Sequence, residues 1–329
     1  PDPASNLYVT IQGSTNPAAP TTFVAPSFST PHVFSLQYAE NVRMKDLTIR
    51  NASVGVQSYQ TIGCEFENVH IENNQSVGLN MSKSEGLRLI RSVLWKNSST
   101  TGGVAVLMNE SSLVVENSVL WGSPIAVSVN SSSLSVTNSV LDAEGTDGRI
   151  YLFSTSASAL GGFRGDYNNY QRKNGALICE QRTQVGGSDY YDDMPRWSAV
   201  NGSDRHSLTA TMSLGPEFAD EIAGDFHPKS TRGRFAGVVK TNDVWVDVWT
   251  NDAVLSPLVD AGAPAWSAEN ELEPNGGIVN IGAYGNTRQA SMTQTNPPWL
   301  RAVSYNCEGL LSGNVLLYWL HGGLADDAP

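Results

Sequence analysis

Short runs of alternating apolar and polar residues, separated by clusters of Asn, Ser, Thr and Gly, fill the first half of the chain, and helical periodicity is almost absent there. Aligned on one another, the runs MKDLTIRN (44–51), FENVHIEN (66–73), LIRSVLWKN (89–97), VENSVLWG (115–122) and VTNSVLDA (136–143) share one pattern: apolar, any, polar, any, any, apolar. Anchored at Asp46, Asn68, Arg91, Asn117 and Asn138, they recur at steps of 22, 23, 26 and 21 residues. Such steps are too irregular for a leucine-rich repeat and suit a coil whose turns vary in length. A second run follows each anchor run: VGVQSY (54–59), VGLNMS (77–82), VAVLMN (104–109), IAVSVN (125–130) and IYLFST (150–155).

The pattern predicts an all-β chain built as a right-handed parallel β-helix, with two strands per coil and a turn-rich connection. Short strands then stack about 4.8 Å above their counterparts, and alternate side chains enter a continuous core. Leu47/Ile49, Val69/Ile71, Leu94, Val115/Leu120 and Val136/Leu141 are the inward candidates, with Leu47, Val69, Val93 or Leu94, Val119 or Leu120, and Val140 or Leu141 expected at one level. Asn117 and Asn138 are expected on adjacent coils, stacked at a corner and serving backbone groups that a tight bend leaves unpaired. A β-sandwich would need hairpin turns every 8 to 12 residues or so, which the regular order of two strand types opposes.

Regularity decays after Leu160, so residues 162–215 read as a loop-rich lateral insertion on a β-helix domain spanning 1–290. Within it, Asp193 followed by Met194 and Pro195 predicts the N-cap and first turn of a short helix. Strand-like coils are expected to resume through 215–230, 244–249 and 256–262. Residues 291–329 read as a linker and the first strands, WLRAVSYN (299–306) and GNVLLYWLHGG (313–323), of an incomplete immunoglobulin-like sandwich. The chain therefore reads as part of a longer polypeptide.

Charge narrows the partners. With 20 Lys+Arg against 32 Asp+Glu, the chain of 329 residues carries a formal charge of -12, which repels a phosphate backbone and an anionic membrane surface. Neither nucleic-acid binding nor membrane insertion is expected, and no run approaches the roughly 20 apolar residues of a spanning helix. Cys64, Cys179 and Cys307 are widely spaced and read as buried thiols rather than a disulfide framework or a zinc site. The five histidines, His32, His70, His206, His227 and His321, form no zinc or nucleophile motif.

The pieces NSVLWG (117–122), GDYNNY (165–170), MPRWSAVNGSDRHSL (194–208), GPEFADEIAGDFHPKSTRGRF (215–235), SPLVDAG (256–262) and EPNGGIVNIGAYGNT (273–287) resemble, in this order, the right-handed parallel β-helix modules of very large secreted or surface proteins of planctomycete-like bacteria. The resemblance covers about residues 40–290. It implies an extracellular or cell-surface solenoid, often followed by an immunoglobulin-like sandwich. Apart from the resemblance, unpaired backbone groups at the solenoid ends predict partners there, either further domains of the same polypeptide or neighbouring subunits, and polysaccharide is the ligand left open.

Fold alone does not settle activity, since other parallel β-helix families include polysaccharide lyases and glycoside hydrolases. A lyase needs a base facing a groove with acids that hold calcium or neutralise a uronate. Asp166, Arg172 and Lys173, near Asp189, Asp192 and Asp193, are the best supply, yet no acid recurs at one position of successive coils. Glu217, Asp220, Glu221 and Asp225 could offer a glycosidase pair, but glycines and a proline around them read as turn punctuation. No catalytic or metal-binding residue is assigned, and calcium is the only cofactor left open. The favoured reading of Tyr167, Tyr170, Tyr190, Tyr191 and Trp197 is that these rings cover the solenoid's apolar side; the sharpest binding alternative is a sugar-binding surface in which they stack on rings while Asp166, Asn168, Asn169, Arg172 and Lys173 meet hydroxyls. The leading expectation is thus a non-enzymatic structural or adhesive module, with a carbohydrate-active enzyme on acidic polysaccharide as its rival.

Overall fold

The computed structural model describes residues 9–15, 20–98, 102–154, 160–183, 186–210, 215–293, 299–302 and 319–322. Strands stack in parallel register into a solenoid whose coils cross three rows rather than two: an opening coil of Val9–Gln12, Thr21–Val24 and His32–Gln37, then six coils numbered from the one that begins at Val42. The third row arises because each anchor run bends at the anchor itself. Asp46, Asn68, Arg91, Asn117 and Asn138 all have φ between 43° and 54°, and Tyr167 (φ 54°) is a sixth member that the 29-residue step from Asn138 concealed. Left-handed backbone is cheapest for Gly and Asn, and Asn supplies three of the six corners in this column, Asn68, Asn117 and Asn138. A second corner column runs through Tyr38, Gln60, Lys83, Glu110 and Ser131, and a third through Asn51, Asn73, Lys96 and Gly122.

Before the anchor lies a row formed by the first halves of Val42–Arg50 and Glu65–Glu72, then Leu87–Ile90, Ser112–Glu116, Ser133–Thr137 and Phe163–Asp166. After it come the second halves of the first two strands, then Val93–Trp95, Val119–Trp121, Val140–Glu144, Asn169–Lys173 and Leu208–Ala210. The remaining row runs from His32–Gln37 through Val54–Tyr59, Val77–Ser82, Val104–Asn109, Ile125–Asn130 and Arg149–Phe153 to Leu177–Arg182.

All the predicted inward residues are buried, but their levels need correction. Ile49, Ile71, Leu94, Leu120, Leu141 and Tyr170 make one stack. Leu47 and Val69 pair two residues earlier, at the level occupied in later coils by Ser92, Ser118 and Ser139. Val93, Val119 and Val140 face outward. The stacked-amide corner also moves. Asn74 and Asn97 bond side chain to side chain at 2.8 Å, and Asn74 Oδ1 accepts from the Ala52 N–H. Asn117 and Asn138 do lie on adjacent coils, but their amides reach outward to the closing segment: Asn117 Nδ2 donates to the Asn280 carbonyl (3.0 Å) and Asn138 Oδ1 accepts from the Ala263 N–H (2.7 Å). Serines take the inner corner instead. The N–H groups of Val69, Ser92 and Ser118 donate to the hydroxyls of Ser92, Ser118 and Ser139, so a hydroxyl on each next coil satisfies a bend amide.

Residues 163–182, read from sequence as part of a lateral insertion, instead continue the solenoid in register. The chain then turns back in antiparallel strand Ser188–Tyr191 and enters helix Met194–Asn201, capped by Asp193, whose side chain accepts from the Arg196 N–H at 2.8 Å. Trp197 on that helix is fully buried against Tyr151, Phe153 and Phe163, closing the end of the core with aromatic rings.

Leu208–Ala210 adds one more parallel strand to the second row, and among the described residues no further coil follows. Phe218–Asp220 pairs antiparallel with Asp225–Pro228, and Arg234–Thr241 with Val244–Thr250. The remainder, to Thr293, is turns laid along the outward face of the second row, where Phe218, Phe226, Leu258, Ile281 and Ala283 cover Val93, Val119, Val140 and Trp121. Trp299–Ala302 pairs antiparallel with Trp319–Gly322; residues 303–318 of the predicted sandwich strands lie outside the described residues. Cys64 and Cys179 are buried free thiols, and Cys307 lies outside the described residues.

Candidate functional site

Positions on a solenoid face repeat every coil, so identical charges at one position would stand directly opposite each other and repel. The first row avoids this by alternating sign. Arg43 and Lys45 on the first coil face Glu65 and Glu67 on the second, at 2.8 and 2.7 Å. Arg88 on the third coil then bridges Glu65 (3.1 Å) and Glu116 of the fourth (2.7 Å), while Arg91 pairs with Glu67. The guanidinium fork suits this double engagement, and Glu67 is held below its usual range by Lys45 and Arg91 against the opposing effect of its burial.

Where the closing segment leaves the second row, it forms a wall beside this charged face. The result is a groove of about 300 Å3 lined by Glu65, Glu67, Arg88, Ile90, Arg91, Glu116 and Asn117 from the solenoid and by Trp266 and Asn286 from the wall. Trp266 is half-buried, and Asn286 Oδ1 accepts from the backbone and side chain of Asn270. The wall is anchored through Glu271, whose buried carboxylate accepts the N–H groups of Asn280 (2.9 Å) and Asn286 (2.8 Å). Burial pushes this carboxyl up to about 7 despite those two bonds.

The predicted sugar-binding residues do not assemble into one surface. Tyr191 is nearly buried, and Tyr170 and Trp197 are fully so because Asp204 gives the polar ends of these two a partner: Oδ1 accepts from the Tyr170 hydroxyl at 2.7 Å and Oδ2 from the Trp197 indole at 2.8 Å. Asn168 and Asn169 are buried as well. Tyr190 stays exposed, and the Arg196 guanidinium lies 5.2 Å over the Tyr191 ring. Arg172 is half-buried. Lys173 sits 4.2 Å over the Trp121 ring with Asp142 and Glu221 at 3.8 and 3.6 Å, and burial lifts Asp142 to about 6 against the pull of Lys173. Asp166 and Tyr167 do come together: Asp166 takes the His206 N–H and faces its Nδ1, both at 2.7 Å, and Tyr167 stacks on the His206 ring at 4.7 Å and 12°.

The acids of the 217–225 stretch serve local structure. Asp220 accepts from the N–H groups of Ile222 and Ala223, Asp225 pairs with His227 and Arg234, Glu217 with Lys229, and Glu221 with Lys173. Among the described residues, no group of three or more His, Cys, Asp or Glu is placed to hold a metal ion, and no helix is long and apolar enough to cross a membrane.

Residues 32–184 match the family model described as the right handed beta helix region. The solenoid is a right-handed parallel β-helix. No curated protein matches the chain. Among solved structures, the crystal structure of pectate lyase Pel9A is similar at 12% identity and a TM-score of 0.36, with 84% of this chain and 82% of that chain covered. A likeness this loose carries no functional argument.

The groove escaped the sequence reading because its wall comes from Trp266 and Asn286, far along the chain from Glu65. A signal was present: Arg43-Met44-Lys45, Glu65-Phe66-Glu67 and Arg88-Leu89 place charges of opposite sign at matching positions of the repeat.

Proposed function

We propose that this β-helix is a structural and adhesive module of an exported bacterial surface protein, and that it holds polysaccharide in the groove beside Trp266 without cleaving it. The observation supporting this reading is the pairing of the groove's charges. Arg88 and Arg91 are committed to Glu65, Glu116 and Glu67, so neither is poised as a base for β-elimination, and each of the three carboxylates is itself engaged by a cation. A half-buried indole with carboxylate, guanidinium and amide groups around it offers an apolar face and both hydrogen-bonding senses to a sugar ring.

Cosedimentation with insoluble polysaccharides, followed by assay of the supernatant for new reducing ends and unsaturated uronates, tests it. Retention without product is expected, with Trp266→Ala weakening retention about tenfold, the worth of one ~1.4 kcal/mol stacking contact. Release of unsaturated uronates would instead favour a polysaccharide lyase.

A further inference from the structure

Beyond the groove, the register of the first row carries its outward positions on toward the helix-capped end. Glu67, Ile90, Glu116, Thr137 and Asp166 are direct neighbours on successive coils, and each is partly open to solvent except where an ion pair covers it. Four steps of about 4.8 Å make a line of ~19 Å, longer than a disaccharide. The wall follows this line, since the closing segment is pinned at the corner of the fourth coil by Asn117 and of the fifth by Asn138. At the far end, Tyr167 occupies the same corner position on the sixth coil, with its ring fixed on His206 and His206 in turn held twice by Asp166. A ring so held needs little further ordering when it meets a ligand.

We infer that the groove is one end of an extended track along the solenoid axis, reaching from Trp266 to Tyr167 and His206, and that its ligand is an uncharged polysaccharide bound through several consecutive sugar units. This rests on the carbohydrate reading of the groove. The class of sugar follows from charge. The groove's carboxylates Glu65, Glu67 and Glu116 are balanced by Arg43, Lys45, Arg88 and Arg91, each of which is already ion-paired, Asp166 faces His206 at the far end, and the whole chain stands at -12. A polyuronate needs cations that are not already engaged. Hydroxyl groups do not, since each can donate to a carboxylate and accept from a guanidinium or amide.

Calorimetric titration of the full chain with two size series tests the inference: di-, tetra- and hexasaccharides of neutral β-glucan, mannan and xylan, and the same sizes of polygalacturonate. For at least one neutral series, the hexasaccharide should bind at least about tenfold more tightly than the disaccharide. Tyr167→Ala and His206→Ala should each erase that gain while leaving disaccharide affinity unchanged, and Trp266→Ala should weaken both sizes. Tyr167→Leu, which keeps an apolar side chain at the corner, should behave as Tyr167→Ala does, and an unchanged melting temperature would separate lost binding from lost folding. Binding that does not grow with length, that ignores Tyr167 and His206, or that favours polygalacturonate overturns the track and leaves the groove reading standing. Absence of binding in every series overturns the groove reading and the track with it.

Discussion

The indole N–H of Trp197 donates to Asp204 at 2.8 Å, and both residues are buried beneath the helix that closes the solenoid. The same carboxylate accepts from the hydroxyls of Tyr170 (2.7 Å) and Ser207 (2.6 Å), so one acid joins the last core stack, the capping helix and the loop after it. Asp204→Ala would strand these donors in an apolar site and is expected to cost about 3 kcal/mol. Urea unfolding monitored by tryptophan fluorescence measures the loss. Hydrogen exchange should show it first in residues 194–201.

Ser118 occupies the middle of the inner corner ladder, accepting from the Ser92 N–H at 3.1 Å and donating to the Glu116 carbonyl at 2.9 Å. Ser118→Ala leaves the Ser92 amide buried without its acceptor. A loss of about 1 to 3 kcal/mol is expected by chemical denaturation. Ser118→Thr, which retains the hydroxyl, should recover part of it.

Glu65 is almost fully covered between Arg43 (2.8 Å) and Arg88 (3.1 Å). Glu65→Ala would remove the carboxylate between Arg43 and Arg88, leaving Arg88 its bond to Glu116, so it should destabilise by about 2 kcal/mol, more than the loss of an ordinary surface pair. Thermal unfolding at low and high salt distinguishes the cause, because screening should narrow the gap to wild type.

Burial raises the folded-state pKa of Glu271 to about 7 from the ordinary 4.5. Between those values the folded state binds more protons than the unfolded state, so stability contributed by this group is present below about 4.5 and falls as pH rises through 7. Loss of hydration, with the charge of His227 a second cause, lowers His70 to about 4 from 6.5, and that group contributes the opposite slope, with stability lost as pH falls from 6.5 toward 4. Glu271→Gln should therefore remove up to about 3 kcal/mol of decline between pH 4.5 and 7 and leave the acid-side slope due to His70. Denaturation midpoints across this range check both signs.

The β-helix was legible because its periodicity is local: a polar residue recurs at each anchor from Asp46 to Asn138, and the apolar positions beside it mark the core. Details that depend on partners distant in sequence were not legible. The covering role favoured for Tyr170 and Trp197 is the one they have, but Asp204, which satisfies their polar ends inside the core, was not visible in the sequence. The segment after residue 215 carries strand-like runs, yet Asp220 and the glycine at 224 turn it back on itself, making antiparallel pairs where parallel coils were expected. Asn117 and Asn138 were correctly placed at corners, while their acceptors and donors, Asn280 and Ala263, belong to a segment that no repeat announces.

Those same two asparagines set an order of assembly. Contacts between neighbouring coils join residues about 20 to 30 positions apart, so coils can add one after another at modest loop-closure cost, whereas the bonds from Asn117 to Asn280 and from Asn138 to Ala263 close loops of 163 and 125 residues. Docking of the closing segment is then expected after the surface it covers is complete. A chain halted before that event displays Val93, Val119, Val140 and Trp121 as a continuous apolar stripe, the feature by which a chaperone would distinguish an unfinished molecule from a finished one.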